Sequence, residues 1–353
     1  GGNMGNFELI IHQAGINYED YKKLCAELDK GDYDKDRLIE NLLGEKKAAR
    51  IKKARENQEA ILAQMESEQI HYIDCTHEAF PDFLTRMPNP CYLLYYKGDI
   101  GLLDSFSIGI IGSRKPTQYG KYVANFFASG LAKKGVTIVS GFALGIDSES
   151  HKGATENKGK TIGVLGTSLD NIYPRSNKEY AKEILRQGNL LISEFMPGTQ
   201  TLPHHFVQRN RLISAISRGL IIVEAGAKSG TLTTADHALD QGRQIFAVPG
   251  NINSKNSLGT NQLIKFGAKP IMELEDVLEE YPYFTSSPIM NEEIELSGDE
   301  KAVIDMIQEK GMLTNEEIAF FTNINIKYII GILSVLELKG IVKDLGNNSY
   351  MLN

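Results

Sequence analysis

The sequence predicts an α/β protein whose central domain is a doubly wound, mostly parallel sheet. Between about residues 69 and 275, short apolar runs alternate with amphipathic stretches of helical length, a pattern typical of repeated βα units. Several of these runs are apolar at nearly every position, as in strands buried on both faces of a parallel sheet. Glycine-rich turns follow several of them, at the positions where open α/β sheets bind ligands.

The elements of this domain follow from the same alternation. The predicted strands are Ile70–Ile73, Tyr92–Tyr96, Ser107–Gly112, Val136–Ser140, Thr161–Leu165, Leu190–Glu194, Leu220–Val223, Gln244–Val248 and Pro270–Met272. The predicted helices are Tyr119–Lys134, Asp147–Asn157, Lys178–Arg186, Phe206–Arg218, Thr231–Gln241 and Asn256–Phe266.

Residues 1–65 are predicted to form a small helical cap before this domain, which spans residues 66–280. The stretch from Glu45 to Met65 is charged and free of proline, as expected of a solvent-exposed helix. A linker is predicted at 281–297, where proline and serine give way to acidic and polar residues. Residues 298–353 show short helices followed by a hairpin that turns at Asn347-Asn348, the layout of a winged helix-turn-helix.

The charge of the chain is concentrated in its carboxy-terminal part. The formal net charge is −7, yet residues 286–353 alone carry five Lys and Arg against eleven Asp and Glu. The middle of the chain is therefore close to neutral and can place basic groups on one face.

The chain shows no sign of secretion, membrane insertion or metal binding. Three unpaired cysteines, no apolar run of about 20 residues and no signal pattern favour a cytoplasmic protein. No Cys and His cluster indicates a metal, and no cofactor is expected.

The strongest local feature is Gly112-Ser113-Arg114-Lys115, directly after a buried strand. Glycine lets a backbone approach a ligand closely, free N–H groups and serine hold phosphate, and arginine clamps it with two hydrogen bonds. A strand-to-helix turn with a surface arginine is the plain alternative. The spacing is not Gly-x-Gly-x-x-Gly, so the dinucleotide fingerprint is absent.

Two later segments also carry arginine and asparagine. Arg175 and Asn177 follow Tyr173-Pro174 in a loop after a strand. Phe206, Arg209, Asn210 and Arg211 start a predicted helix, where cations oppose the helix dipole by about 0.3–1 kcal/mol unless an anion is bound. Phe206 would stack a base, a contact of about 1–3 kcal/mol. Alternatively, Phe206 belongs to the core and the arginines pair with carboxylates.

A further anion cradle is predicted at Lys228-Ser229-Gly230-Thr231, which lies between a strand and a helix. It lacks the residue order of ATP-hydrolysing phosphate loops. Glu224 is the single carboxylate placed like a catalytic acid, and without a partner base a structural role is its alternative. Asp147 is interpreted as a helix cap and His151 as a packed or surface histidine.

Basic residues thus follow several strands, and one edge of the sheet is expected to bind an extended polyanion. These residues are Arg114, Arg175, Arg209, Arg211 and Lys228. No nucleophile and base accompany them, which predicts a binding protein and not an enzyme.

The ordered motifs resemble the DNA-processing protein A family (DprA/Smf) over about residues 70–275. They are Gly112-Ser113-Arg114, Ser140-Gly141, Gly145-Ile146-Asp147, His151, Tyr173-Pro174, Ser193-Glu194, Arg209-Asn210-Arg211, Ser229-Gly230, Thr234-Ala235 and Pro249-Gly250. The resemblance implies an extended Rossmann-like domain that dimerises, binds incoming single-stranded DNA, shields it and helps load the RecA recombinase in natural transformation. It also implies that Arg114, Arg175, Arg209 and Arg211 line the DNA groove.

The chain departs from the family pattern at one position. Where members often carry a lysine, three residues before Phe206, this chain has Pro203, followed by His204 and His205. One phosphate contact of the family is therefore not expected here. If either histidine faces the groove, binding would depend on pH.

Two other interpretations concern the tail and catalysis. The expected recognition helix Lys327–Lys339 lies in an acidic domain and is apolar on more than one face, so we expect it to contact protein and not duplex DNA. A nucleotide-binding, phosphoribohydrolase-like enzyme is the alternative function, although the Pro-Gly-Gly-x-Gly-Thr loop of such enzymes is absent after Glu224. A plain scaffold with a winged-helix regulator ranks last, because it leaves the glycines and arginines unexplained.

Overall fold

A computed structural model gives the architecture of the chain. It describes residues 6–30, 34–156, 158–282, 284, 297–338, 341–344, 346 and 348–352. Most of the predicted linker 281–297, together with Asn157, Lys339 and Asn347, lies outside the described residues. Contacts divide the chain into two compact units, residues 1–289 and residues 290–353.

The described part of the first unit contains a nine-stranded sheet in the order β1-β2-β6-β5-β4-β3-β7-β8-β9. The strands from β6 to β9 in this order run parallel, while β2 is antiparallel to β6 and β1 to β2. Every strand predicted from the sequence is present, to within a few residues. The strands are His71–Asp74 (β1), Leu93–Gly98 (β2), Ser107–Ile111 (β3), Thr137–Ser140 (β4), Thr161–Leu165 (β5), Leu190–Ser193 (β6), Gly219–Ile222 (β7), Gln244–Ala247 (β8) and Lys269–Pro270 (β9).

Helices cover both faces of this sheet, which confirms the doubly wound fold class. They are Phe83–Arg86 (α6), Gln118–Lys133 (α7), Ile146–Glu156 (α8), Lys178–Arg186 (α9), Pro203–Ile216 (α10), Gly230–Asp240 (α11), Leu258–Lys265 (α12) and Glu275–Leu278 (α13). The alternation of side chains along each strand divides the core in two. In β7, Ile221 packs with α7 and α8, while Leu220 and Ile222 pack with α10 and α11.

The order in which successive strands are added to the sheet reverses between β3 and β7, although the two strands are parallel. From β3 the chain adds β4, β5 and β6 on one side, and then returns to add β7, β8 and β9 on the other. At such a switch point, the loops after the two central strands separate and leave a crevice at the carboxyl ends of the strands. The loops that follow β3 and β7 carry the predicted residues at 112–115 and 228–231.

The amino-terminal helices pack against the sheet within the same compact unit. They are Phe7–Gln13 (α1), Tyr18–Leu28 (α2), Lys35–Leu43 (α3), Glu45–Glu56 (α4) and Gln58–Ser67 (α5). The expected single solvated helix from Glu45 to Met65 is wrong: it is interrupted at Asn57, and Ile51 and Met65 are buried against Tyr92 and Leu191 of the sheet domain. Apolar residues among many charges were enough to anchor both helices.

The second unit has the topology of a winged helix-turn-helix. Its described elements are Gly298–Lys310 (α14), Leu313–Thr314 (β10), Asn315–Thr322 (α15), Ile326–Leu338 (α16), Val342–Asp344 (β11) and Ser349–Leu352 (β12). The three strands form an antiparallel sheet in the order β10-β12-β11. Ile329, Leu333 and Leu336 of α16 are buried in its core, whereas Tyr328 and Ile330 are exposed.

No single described helix is long and apolar enough to cross a membrane. Asn315–Thr322 and Ile326–Glu337, which are bent by 113° relative to each other, reach the required length and composition only as a pair.

The packing of α7 on α8 gives a prediction about stability. A Cβ at Gly153 would lie 2.8 Å from the carbonyl oxygen of Asn125 and 3.1 Å from the Cβ of Ala128. Gly153→Leu should therefore lower the free energy of unfolding by about 1–3 kcal/mol, as overpacked cores do. Lys152→Leu, at the exposed neighbouring position, should change it by less than about 0.5 kcal/mol. Urea unfolding followed by circular dichroism measures both, and equal stabilities would contradict the close packing.

Candidate nucleic-acid interface

The loop after β3 has a fixed backbone and free cationic side chains. A Cβ at Gly112 would lie 2.7 Å from Ile146 and 2.9 Å from the carbonyl oxygen of Glu224, so no larger residue fits without movement. The carbonyl oxygen of Ser113 accepts a hydrogen bond from the backbone N–H of Ile146 at 3.1 Å. The side chains of Arg114 and Lys115 are exposed. The loop therefore presents two positive charges from a rigid support.

Glu224, at the end of β7, fixes the other end of this loop. Its side chain is buried and accepts hydrogen bonds from the backbone N–H and the hydroxyl of Thr117, and from the amide of Asn256 at 3.1 Å. Asn256 also donates to the carbonyl oxygen of Lys115 at 3.0 Å. Thr117 in turn caps α7 by accepting from the N–H of Gly120. The carboxylate is thus engaged in loop contacts, which supports the structural alternative for Glu224.

A cleft of about 920 Å³ opens between the loops after β3 and β7, at the switch point of the sheet. We call it the first cleft. It brings together ten of the residues predicted from the sequence: Gly112, Ser113, Arg114, Lys115, Phe206, Arg209, Asn210, Ser229, Gly230 and Thr231.

An aromatic surface lies beside Arg114 in the first cleft. The guanidinium carbon of Arg114 is 5.5 Å from the ring centroid of Phe206, within cation–π range. The ring of Tyr173 lies 5.5 Å from that of Phe206 and is 53% exposed. Tyr173 was not predicted as a lining residue and appeared only as part of the Tyr173-Pro174 motif. An aromatic beside Pro174 in a loop after a strand was the available signal.

The amino terminus of α11 forms another side of the first cleft. Ser229 is its N-cap and accepts a hydrogen bond from the backbone N–H of Thr231 at 3.1 Å. Gly230 has open space where a Cβ would be, and Lys228 is exposed just before it. The positive end of the helix dipole therefore adds to the charge of Arg114.

Arg209 and Arg211 do not bracket an anion as expected. The helix α10 begins at Pro203 and not at Phe206, so both arginines lie beyond its first turn, away from its free N–H groups. Arg209 is 3% exposed, and its guanidinium donates to the carbonyl oxygens of Gly141 and Val164. Arg211 is 4% exposed and is bound by both carboxylate oxygens of Glu194. The alternative that the arginines pair with carboxylates therefore holds for Arg211 alone, and Phe206 and Arg209 line the first cleft.

Burial also governs the ionisation of the groups beneath the first cleft. It raises the pKa of the Asp147 carboxyl, while the positive charge of Arg209 acts in the opposite direction. It lowers the pKa of Arg209 to about 10, which leaves the guanidinium charged at neutral pH. Burial lowers the pKa of His151 to about 3, and its Nδ1 lies 2.7 Å from the hydroxyl of Thr161. These groups form the support of the cleft.

Four other residues named from the sequence do not line the first cleft. Arg175 is exposed in a 3₁₀ turn, Arg175–Asn177, beside the cleft. Asn177 is buried and its amide donates to the carbonyl oxygen of Phe142 at 3.1 Å, so it supports the loop. His205 is buried against Phe195, with ring centroids 4.1 Å apart, and burial lowers its pKa. His204 remains exposed.

Within the described residues, no group of three or more His, Cys, Asp or Glu side chains is arranged to hold a metal ion.

The fold and the cleft define a class: a Rossmann-like α/β protein with a cationic and aromatic cleft at its switch point. The chain belongs to the family described as DNA recombination-mediator protein A, whose model matches residues 71–282.

Relatives and solved structures agree with this assignment. The DNA processing protein DprA of Bacillus subtilis is 42% identical over 223 residues, which are 63% of this chain and 75% of that protein. Protein Smf of Escherichia coli is 40% identical over 225 residues, 64% of this chain and 60% of that protein. The structure of DprA from Streptococcus pneumoniae superposes with a TM-score of 0.68 at 32% identity, covering 79% of this chain and 98% of that one.

A structure of DNA processing protein A from Helicobacter pylori, studied for its single-stranded DNA binding mode, is also similar. It superposes with a TM-score of 0.55 at 33% identity, and the match covers 61% of this chain and 98% of that one.

The buried ion pair predicts how the arginines differ. Arg211→Ala leaves the carboxylate of Glu194 buried without its partner and should lower the free energy of unfolding by about 3–5 kcal/mol. Arg114→Ala removes an exposed side chain and should change it by less than about 0.5 kcal/mol. Denaturant unfolding of both variants tests this difference. An Arg211→Ala variant as stable as the wild type would contradict a structural role for the pair of Arg211 with Glu194.

Proposed function

We propose that this family member binds single-stranded DNA in the first cleft as a recombination mediator. The observation that carries the proposal is the position of Arg114 over Phe206, beside the exposed ring of Tyr173. A strand bound there would place phosphates on Arg114 and Lys115 and stack bases on the rings. Because every base has an aromatic face, such contacts tolerate any sequence, as a mediator of recombination requires.

We further propose the cellular role that the family resemblance implies. The protein would bind incoming DNA in natural transformation, shield it from nucleases and help load RecA onto it, in the cytoplasm where its free cysteines remain reduced. We propose a non-catalytic protein, because Glu224 is buried in loop contacts. Arg175 and Lys228 would act as exposed phosphate contacts at the margins of the cleft.

The winged-helix unit is proposed to contact protein. Its helix α16 exposes Tyr328 and Ile330, and α15 exposes Phe320, which is 78% exposed. Apolar side chains at this exposure favour a protein partner over a phosphate backbone. We propose that the DNA-binding domain spans residues 66–280. A linker at 281–297 would join it to a winged-helix domain at 298–353.

Arg114→Ala should weaken binding of a single-stranded oligodeoxythymidine by about tenfold or more, since a hydrogen bond to a charged group contributes about 1.5–3 kcal/mol. Its salt dependence should become shallower by about 0.7 in log–log slope, the value for one phosphate contact on a single strand. Fluorescence anisotropy measures both.

Arg218→Ala is the matched control. This exposed arginine directly precedes β7, at the amino-terminal end of the strand, whereas the first cleft lies at the carboxyl ends. Unchanged affinity in the Arg114 variant, or an equal loss in the Arg218 variant, would refute the assignment of the site.

We propose that the sheet domain forms a homodimer near its β9 edge. Phe266 and Met272 flank this short strand and are 74% and 77% exposed, so a second copy that covered them would bury apolar surface. Phe266→Glu should convert a dimer to a monomer in light scattering after gel filtration. Tyr122→Glu, on the exposed face of α7, should leave it dimeric; the reverse pattern would place the interface on α7.

A further inference from the structure

A second cleft, of about 580 Å³, adjoins the first, and Arg114 and Lys115 line both. It lies between the loop after β3, the amino-terminal part of α7 and the exposed side of α8. We call it the second cleft. The residues predicted from the sequence include Arg114, Lys115 and Asn177 of its lining but not Lys121 or Lys152.

The second cleft is strongly cationic. Its lining contains Arg114, Lys115, Lys121 and Lys152 against one carboxylate, Glu149, so the formal charge of these groups is +3. The Nζ of Lys152 lies 3.2 Å from the carboxylate of Glu149, and this exposed pair contributes little because water screens it. In a chain of net charge −7, this is a marked local excess.

The loop that contains residues 173–177 contributes to the lining of both clefts. Tyr173 lines the first cleft, whereas Ser176 and Asn177, from the same loop, line the second. Arg175, between them, is exposed. The hydrogen bond from Asn177 to the carbonyl oxygen of Phe142 holds this loop in place. Arg175 itself is not among the residues that line either cleft.

The two clefts differ in the side chains that line them, and therefore in the part of a DNA strand that each would bind. The first cleft contains the exposed ring of Tyr173 and the half-buried ring of Phe206, over which Arg114 lies. The aromatic ring of the second cleft, Tyr180, stacks on Phe142, with centroids 6.1 Å apart, so one of its faces is covered. Lysines on flexible stems remain, and these bind phosphate as point charges without reading a base.

We propose that a DNA strand bound in the first cleft continues across Arg114 and Lys115 into the second cleft, where Lys121 and Lys152 bind its following phosphates. This inference rests on the proposed function. It adds a backbone-binding subsite, which would make affinity depend on the length of the strand.

The test is the affinity for oligodeoxythymidines of increasing length. A tetramer-sized strand of about 4 nucleotides fills the first cleft, and one of about 12 also reaches the second. Lys121→Ala/Lys152→Ala should bind the short strand like the wild type and the long strand about tenfold more weakly. Two lost phosphate contacts at about 0.7 each in salt slope give this factor near 0.15 M salt.

The matched control is Lys133→Ala/Lys134→Ala, which removes the same charge from the far end of α7 and should bind both strands like the wild type. Glu149→Gln removes the carboxylate of the second cleft and should tighten binding of the long strand alone. Circular dichroism verifies that each variant is folded.

The outcomes separate the inference from the proposed function. If the wild type binds short and long strands equally, or if the two double variants behave alike, the second cleft is not a DNA subsite and the first cleft stands. If the wild type binds neither strand, the proposed function fails, and the inference fails with it.

Discussion

The buried carboxylate of Glu224 is the constraint on which the site depends. It lies at the end of β7 and accepts hydrogen bonds from Thr117 and Asn256, which hold the loop after β3 and the start of α7. Without it, the loop that carries Arg114 would lose its side-chain link to β7 and would keep the hydrogen bonds of Ser113 to Ile146 and of Lys115 to Asn256. A buried carboxylate that accepts three hydrogen bonds is costly to remove, because its donors would lose their partner.

The basic residues around the first cleft fall into a buried group and an exposed group. Arg209 and Arg211 are inside, bound to carbonyl oxygens and to Glu194, and they stiffen the floor beneath the first cleft. Arg114 and Lys115 remain in solvent on a loop that cannot relax. A phosphate bound there, as proposed, would meet cations whose backbone is already held in place, so that little backbone entropy would be lost on binding. The net negative charge of the chain lies mainly in residues 286–353.

The sequence was sufficient to predict most of the fold, because buried parallel strands are continuous apolar runs and their helices are amphipathic. It could not give the antiparallel direction of β1 and β2, which depends on pairing partners far along the chain. The first cleft was predicted through Gly112–Lys115 and Ser229–Thr231. Arg211 was misplaced because periodicity does not distinguish an arginine facing solvent from one paired with a carboxylate 17 positions away, and a start of α10 at Pro203 moves it out of the first turn.

Photo-crosslinking of single-stranded DNA that carries 4-thiothymidine, followed by mass spectrometry, tests the central claim most directly, because it reports where bases lie. We expect adducts on Tyr173 and Phe206, although Phe320 and Tyr328 of the winged-helix unit are more exposed, at 78% and 72%. Adducts confined to residues 298–352 would contradict it and would move DNA binding to the winged-helix unit.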